Sequence, residues 1–149
     1  MLTSISPDIS ASRIVAGFTT CPSSSTPVVT LVELSDKTLG VHKVTSNTTH
    51  ALSPPSVPVP GSPPDALAWE AVFPAGSINP GNKTAPPGGF GFYLRGPPPF
   101  AEALKDVRDE SEVVFSYDVL FEDGFDWVKG GKLPGICKYS ELLYLHQTL

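Results

Sequence analysis

Residues Glu112–Phe121 read EVVFSYDVLF, and the alternation in this stretch decides the expected fold. Val113, Phe115, Tyr117, Val119 and Phe121 fall on one side at period two, with Val114, Ser116, Asp118 and Leu120 on the other. One face is apolar or aromatic and the other mixed, the pattern of a sandwich strand with one side in a core. Glu122-Asp123-Gly124 follows as a tight turn, and Phe125–Val128 reads as the return strand of a hairpin. Lys129-Gly130-Gly131-Lys132-Leu133-Pro134-Gly135 then leaves it as a Gly-rich loop.

Upstream, Phe90–Leu94 (FGFYL) is short, aromatic and β-like, and Pro97–Pro99 reads as its stop. Phe100–Arg108 is the one expected helix, with Phe100, Leu104 and Val107 on a shared face. Ala66–Phe73 suits a strand carrying Trp69 into the core, though its alanines also allow a helical turn. Asn79-Pro80-Gly81-Asn82 and Pro86-Pro87-Gly88-Gly89 are turn sequences flanking a loop. Ser53–Pro64 is too rich in proline for helix or central strand and is expected as a linker or surface loop. Short strands are expected at Val28–Val32 and Leu39–Thr45, and residues 1 to about 30 read as loosely attached. Downstream of Gly135, the tail Ile136–Leu149 matches the β-rich body poorly and allows a short helix. The expected fold class is all-β, a partial sandwich of antiparallel strands with a Pro-rich, irregular N-terminal region. Residues 1–64 form that weakly structured part, and 65–149 the β domain with an atypical tail at 136–149.

Composition agrees with this division. Of 149 residues, 17 are Pro and 13 Gly, and 17% are charged. Pro and Gly thus reach about a fifth of the chain against a usual ~12%, which excludes a coiled coil or helical bundle. A formal net charge of −5 gives no general attraction to nucleic acid or anionic membrane, and neither is an expected partner. No apolar run approaches the roughly 18 residues of a membrane span. Met1–Ser10 carries Asp8 and no apolar core, and does not read as a signal peptide. Asn47-Thr48-Thr49 and Asn82-Lys83-Thr84 both match the glycosylation acceptor pattern, which matters only in a secreted protein, so the compartment stays open.

Most chemistry-bearing residues have ordinary readings. Cys21 and Cys137 make neither a disulfide framework nor a four-ligand zinc site, and a single bridge between them stays open. His42, His50 and His146 show no metal-ligand spacing and read as surface or partly buried imidazoles; no metal or cofactor is expected. Ser116 and Ser140 lack a nucleophile elbow. Glu122, Asp123 and Asp126 read as a solvated turn. Lys129–Lys132 fails as a phosphate loop because Leu133-Pro134 follows in place of Ser/Thr and a helix. What has no evident structural need is the pair Lys129 and Lys132 around Gly130 and Gly131, which offers charge to an anion and close backbone approach to a ligand.

Those residues carry a family resemblance. FSYDVLFEDGFDWVKGGKLPG (Phe115–Gly135) resembles the signature of polysaccharide lyase family 14, the alginate and glucuronan lyase group, in its fungal branch. Ala68–Pro97 resembles the segment preceding it, and Leu39–His50 a still earlier part. The resemblance implies a β-jelly roll, an extracellular setting, an acidic polysaccharide partner and β-elimination on polyuronates. It also implies that Lys132 lines the catalytic cleft, with Lys129, Gly130 and Gly131 as substrate-binding residues. The family's other functional residues lie in a Ser-X-Arg strand and a later Tyr-X-Tyr pair that moves protons. Here the sequence after Gly135 is ICKYSELLYLHQTL, without either pattern. The expectation is an incomplete, inactive form prone to self-association through unpaired strands. The alternatives are a non-catalytic β-sandwich fragment binding an acidic glycan or a protein, and a Pro-rich adaptor ligand built on Ser53–Pro64.

Overall fold

The computed structural model describes residues 14–45, 48–59, 61–106, 111–127, 132–139 and 142–148. Strands β1 (Gly17–Thr19) and β2 (Val29–Leu31) pair in parallel, with a single 3-10 turn at Pro22–Ser24 between them. Helix α1 (Asp36–Leu39) follows and ends on Leu39, the first residue of the strand expected over Leu39–Thr45. The local sequence explains the change. Ser35 caps the helix by accepting from the Thr38 backbone N–H at 3.2 Å, and Gly40 ends it in the left-handed region at φ 60°.

Strand β3 (Leu52–Ser53) pairs antiparallel with β4 (Ala68–Trp69), so the Pro-rich stretch leaves and returns at adjacent strands. Strand β5 (Gly91–Leu94) is the centre of the fold. Along one edge His42 and Tyr93 exchange two backbone hydrogen bonds, 2.7 and 2.9 Å, and Thr45 N–H donates to Gly91 at 2.8 Å. This single bridge replaces the expected second strand. The other edge pairs antiparallel with β7 (Leu142–Thr148), which also takes β6 (Gly135–Tyr139), in the order β5-β7-β6. The tail is therefore two strands, not a helix. Sheet pairing with β5 and β6 satisfies its backbone groups, a possibility that a weak local pattern does not reveal.

Phe90, Phe92 and Leu94 share one face of this segment and are 0%, 0% and 5% exposed. Phe18, Val41, Trp69 and Ala71 pack against them, and Leu39 is buried nearby in the chain's turn onto β5. Burial of each large side chain supplies about 1.5–3 kcal/mol, and period-two placement makes the three act as one wall. Helix α2 (Pro98–Ala103) continues as a 3-10 turn over Leu104–Asp106. The prolines expected as a stop instead start the helix, because Pro98 occupies a position whose N–H has no intrahelical partner. The expected helix residues Val107 and Arg108 lie outside the described residues.

Residues Glu112–Phe121 take no part in any described sheet, which corrects the expected strand and hairpin. The turn exists: Phe125 N–H donates to the Glu122 carbonyl at 3.0 Å, and Gly124 has φ 79°. Alternation specifies which side chains share a face, but a strand also needs a neighbouring backbone. The alternation persists in local contacts, with the Phe115 and Tyr117 rings 5.2 Å apart. The described strands form three small sheets and no closed barrel, one of the three parallel, in place of a uniformly antiparallel sandwich.

Candidate active site

Lys132 stands in solvent three residues before the start of β6. Leu133 beside it is 57% exposed, whereas Pro134 is buried at the strand's entrance. Proline fits there because it fixes φ and lacks the N–H a central ladder position needs, and it holds Leu133 away from helical backbone. Lys129, Gly130 and Gly131, the other residues expected in this site, lie outside the described residues, as does Val128.

A second group of polar side chains surrounds an open cleft of about 530 Å³, lined by Asp36, Val44, Thr45, Thr48, Thr49, His50 and Ala51. His50 donates through Nε2 to Asp36, whose Oδ1 and Oδ2 lie at 3.0 and 2.9 Å. A carboxylate oxygen only accepts, so the ring proton resides on Nε2. The imidazole side chain is 14% exposed and the carboxylate 52%. Behind it stand Phe92, Phe90 and Trp69, with ring centroids 5.1, 5.7 and 6.2 Å away. The Thr48 hydroxyl is buried with no hydrogen-bond partner. His50 is thus the partly buried imidazole the sequence implied, with a charge partner that sequence spacing did not reveal.

A third group gathers on the face of β5 opposite Phe92. His42 Nδ1 donates to the Gly40 carbonyl at 3.0 Å. Lys43 Nζ sits 5.0 Å from the centroid of the Tyr93 ring, within cation–π range, and the His42 and Tyr93 rings are 6.0 Å apart. Lys43 is the one non-glycine residue with positive φ among the described residues, at 50°. Sequence reasoning passed over this group. The signal was available for Tyr93 alone, since alternation in FGFYL sets it opposite Phe92 and Leu94.

Cys21 is a free cysteine, half-buried in the loop after β1. Its Sγ lies 3.0 Å from Ser23 Oγ. That hydrogen bond holds the thiol below its ordinary pKa, partly opposed by burial. Among the described residues no cluster of three or more His, Cys, Asp or Glu forms a metal site, and no helix is long and apolar enough to cross a membrane.

Comparison with known proteins covers the same ground. The family model for polysaccharide lyase 14 matches residues 63–141, from just before β4 through Tyr93 and Lys132 to the residue before β7. No curated protein and no solved structure matches the chain. The matched stretch is just over half of the 149 residues and contains the core strand, the alternating segment and the GGKLPG lysine, and the chain belongs to the polysaccharide lyase 14 family.

Proposed function

We propose that this chain recognises acidic polyuronates, alginate or glucuronan, and that the reaction native to its site is β-elimination. The family match through the GGKLPG lysine carries this reading. In β-elimination a base removes the C5 proton beside the uronate carboxylate, the C4–O glycosidic bond breaks, and an acid protonates the leaving oxygen. Lys132, exposed before a paired strand, is assigned the neutralising of the carboxylate and of the charge growing on the enolate-like intermediate. Lys129, Gly130 and Gly131 are assigned the outer contacts to the sugar chain. The proposed fold is the jelly roll of the family, in an extracellular setting.

Within these 149 residues no Ser-X-Arg follows Lys132, and no Tyr-X-Tyr pair occurs. Losing one proton-transfer group costs on the order of 10²–10⁴-fold, so this chain binds its polymer without turning it over. The test runs the purified chain with alginate and with glucuronan. Retardation in a polyuronate-containing native gel is expected, without growth of unsaturated-uronate absorbance. Lys132→Ala should reduce the retardation more than Lys129→Ala. Enzyme-dependent product would overturn the inactivity, and unretarded migration in both polymers would overturn the recognition.

A second reading, association through a protein surface, is favoured by one observation. Val114, Tyr117, Leu120 and Trp127 are 54%, 40%, 46% and 66% exposed, a run of large apolar side chains in one segment. Light scattering across a concentration series tests it, and a constant monomer mass at all concentrations excludes it.

A further inference from the structure

The loop 79–88 carries chemistry that neither lysine nor cleft uses. Its base is pinched by Asn79, whose carbonyl accepts from the backbone N–H of Asn82 at 3.2 Å and of Gly88 at 3.4 Å. Within the loop, the Asn82 side-chain oxygen accepts from Thr84 N–H at 2.8 Å, Thr84 Oγ1 at 3.1 Å and Ala85 N–H at 3.0 Å. Two of these donors are backbone amides, so the end of the amide facing them must be Oδ1. The other end, Nδ2, has no hydrogen-bond partner among the described residues. It is also not a buried unsatisfied atom, and Asn82 itself is half-buried. Gly81, Lys83 and Thr84 around it are exposed.

We infer that Asn82 is an acceptor for N-linked glycosylation when the chain passes through a secretory compartment. Asn82-Lys83-Thr84 supplies the acceptor amide and the required hydroxyl two residues later, with a residue other than proline between them. The donor is an oligosaccharide on a lipid diphosphate. A bond forms between Asn82 Nδ2 and C1 of the reducing-end sugar, and the bond from C1 to the phosphate oxygen breaks. The electron pair leaves with the lipid diphosphate, and the amide gives up one proton. Nothing is oxidised or reduced. Transfer precedes folding, so the fold must only leave room for the product, and here it does. The glycan replaces a hydrogen that bonds to no protein group, on a loop held at its base, while Oδ1 keeps its three contacts.

The other acceptor triplet, Asn47-Thr48-Thr49, makes a ready internal comparison. The full 149-residue chain, placed behind a secretion leader, is translated with endoplasmic-reticulum microsomes as wild type, Asn82→Gln, Thr84→Ala and Asn47→Gln. A mobility shift removed by endoglycosidase is expected in the wild type. One glycan's shift should disappear in both Asn82→Gln and Thr84→Ala and persist in Asn47→Gln. The readout does not depend on the variants folding. Equal mobility of wild type and Asn82→Gln overturns the proposal, as does recovery of the Asn82 peptide wholly unmodified from translocated chain by mass spectrometry.

Discussion

His50 joins Asp36 across fourteen residues of sequence, with Nε2 2.9 Å from the carboxylate, and so ties helix α1 to the aromatic wall of β5. Asp36 also accepts the Val41 backbone N–H through its main-chain carbonyl at 2.9 Å, so one residue secures both ends of this short link. A four-residue helix has too few internal hydrogen bonds to stand alone, and tertiary contacts of this kind must hold it.

The two partners should therefore differ in cost. Asp36→Asn removes a half-exposed charge and should cost at most about 1 kcal/mol after solvent screening. His50→Ala also removes a ring packed on Phe90, Phe92 and Trp69, and should cost about 2–4 kcal/mol by the cavity it leaves. Urea unfolding followed by tryptophan fluorescence separates the two. Equal midpoints for both variants would show that the ring's packing contributes nothing.

Gly96 and Gly40 make a second contrast. Both have positive φ, 79° and 60°. A Cβ on Gly96 would meet Phe100 Cδ1 at 2.7 Å and Phe18 Cε1 at 2.8 Å, whereas one on Gly40 meets nothing closer than 3.5 Å. Gly40→Ala should cost only the left-handed backbone term, roughly 1–2 kcal/mol. Gly96→Ala adds overpacking of about 1–3 kcal/mol and should disrupt the edge contact of Phe18 with Phe100. Thermal melts of the two variants side by side give the comparison, and a Gly40→Ala loss equal to the Gly96→Ala loss would count against it.

Cys21 offers a chemical readout. Ser23 stabilises the thiolate by donating to sulfur, so Ser23→Ala should raise the thiol pKa and lower the thiolate fraction at neutral pH. Alkylation of the Cys21 peptide, timed by mass spectrometry, should slow by a few fold, about 2–5. The difference should vanish at alkaline pH, where both thiols are fully ionised. An unchanged rate at neutral pH would mean that the contact does not form in solution.

Surface aromatic residues govern the remaining expectation. Phe121, Phe125 and Trp127 cluster with ring centroids 4.4–5.2 Å apart. Trp127→Ser should leave the unfolding free energy within about 0.5 kcal/mol of wild type, as for an exposed position. It should also raise the concentration at which the chain begins to associate, read by dynamic light scattering. A lowered melting midpoint with unchanged association would reverse that assignment.

What was readable in advance was readable for local reasons. FGFYL announces β5 because a short aromatic alternation has one compatible element, and Ser35 with Gly40 carries cap chemistry that makes α1 intelligible once seen. EVVFSYDVLF has a stronger alternation than FGFYL yet forms no described ladder, since side-chain order says nothing about where a second backbone lies. The tail fails in the opposite direction. Ile136–Leu149 has little periodicity, and its pairing with itself and with the distant β5 makes two strands of it. Lys132 stands out in the sequence through the motif around it, whereas the Lys43–Tyr93 and His50–Asp36 contacts join residues too far apart in sequence for spacing to reveal.

The position of β5 also sets how the chain must fold. Tyr93 pairs with His42, 51 residues earlier, and with His146, 53 residues later. Neither neighbour of the core strand is a hairpin partner, so Phe90 and Phe92 cannot be enclosed by any local nucleus. Both long loops must close before their burial rewards the cost, and such non-local pairing belongs to the slow end of the folding range, milliseconds to seconds. Until then the most apolar strand in the fold stays open on both edges, which makes the interval before closure, rather than the finished molecule, its most vulnerable period.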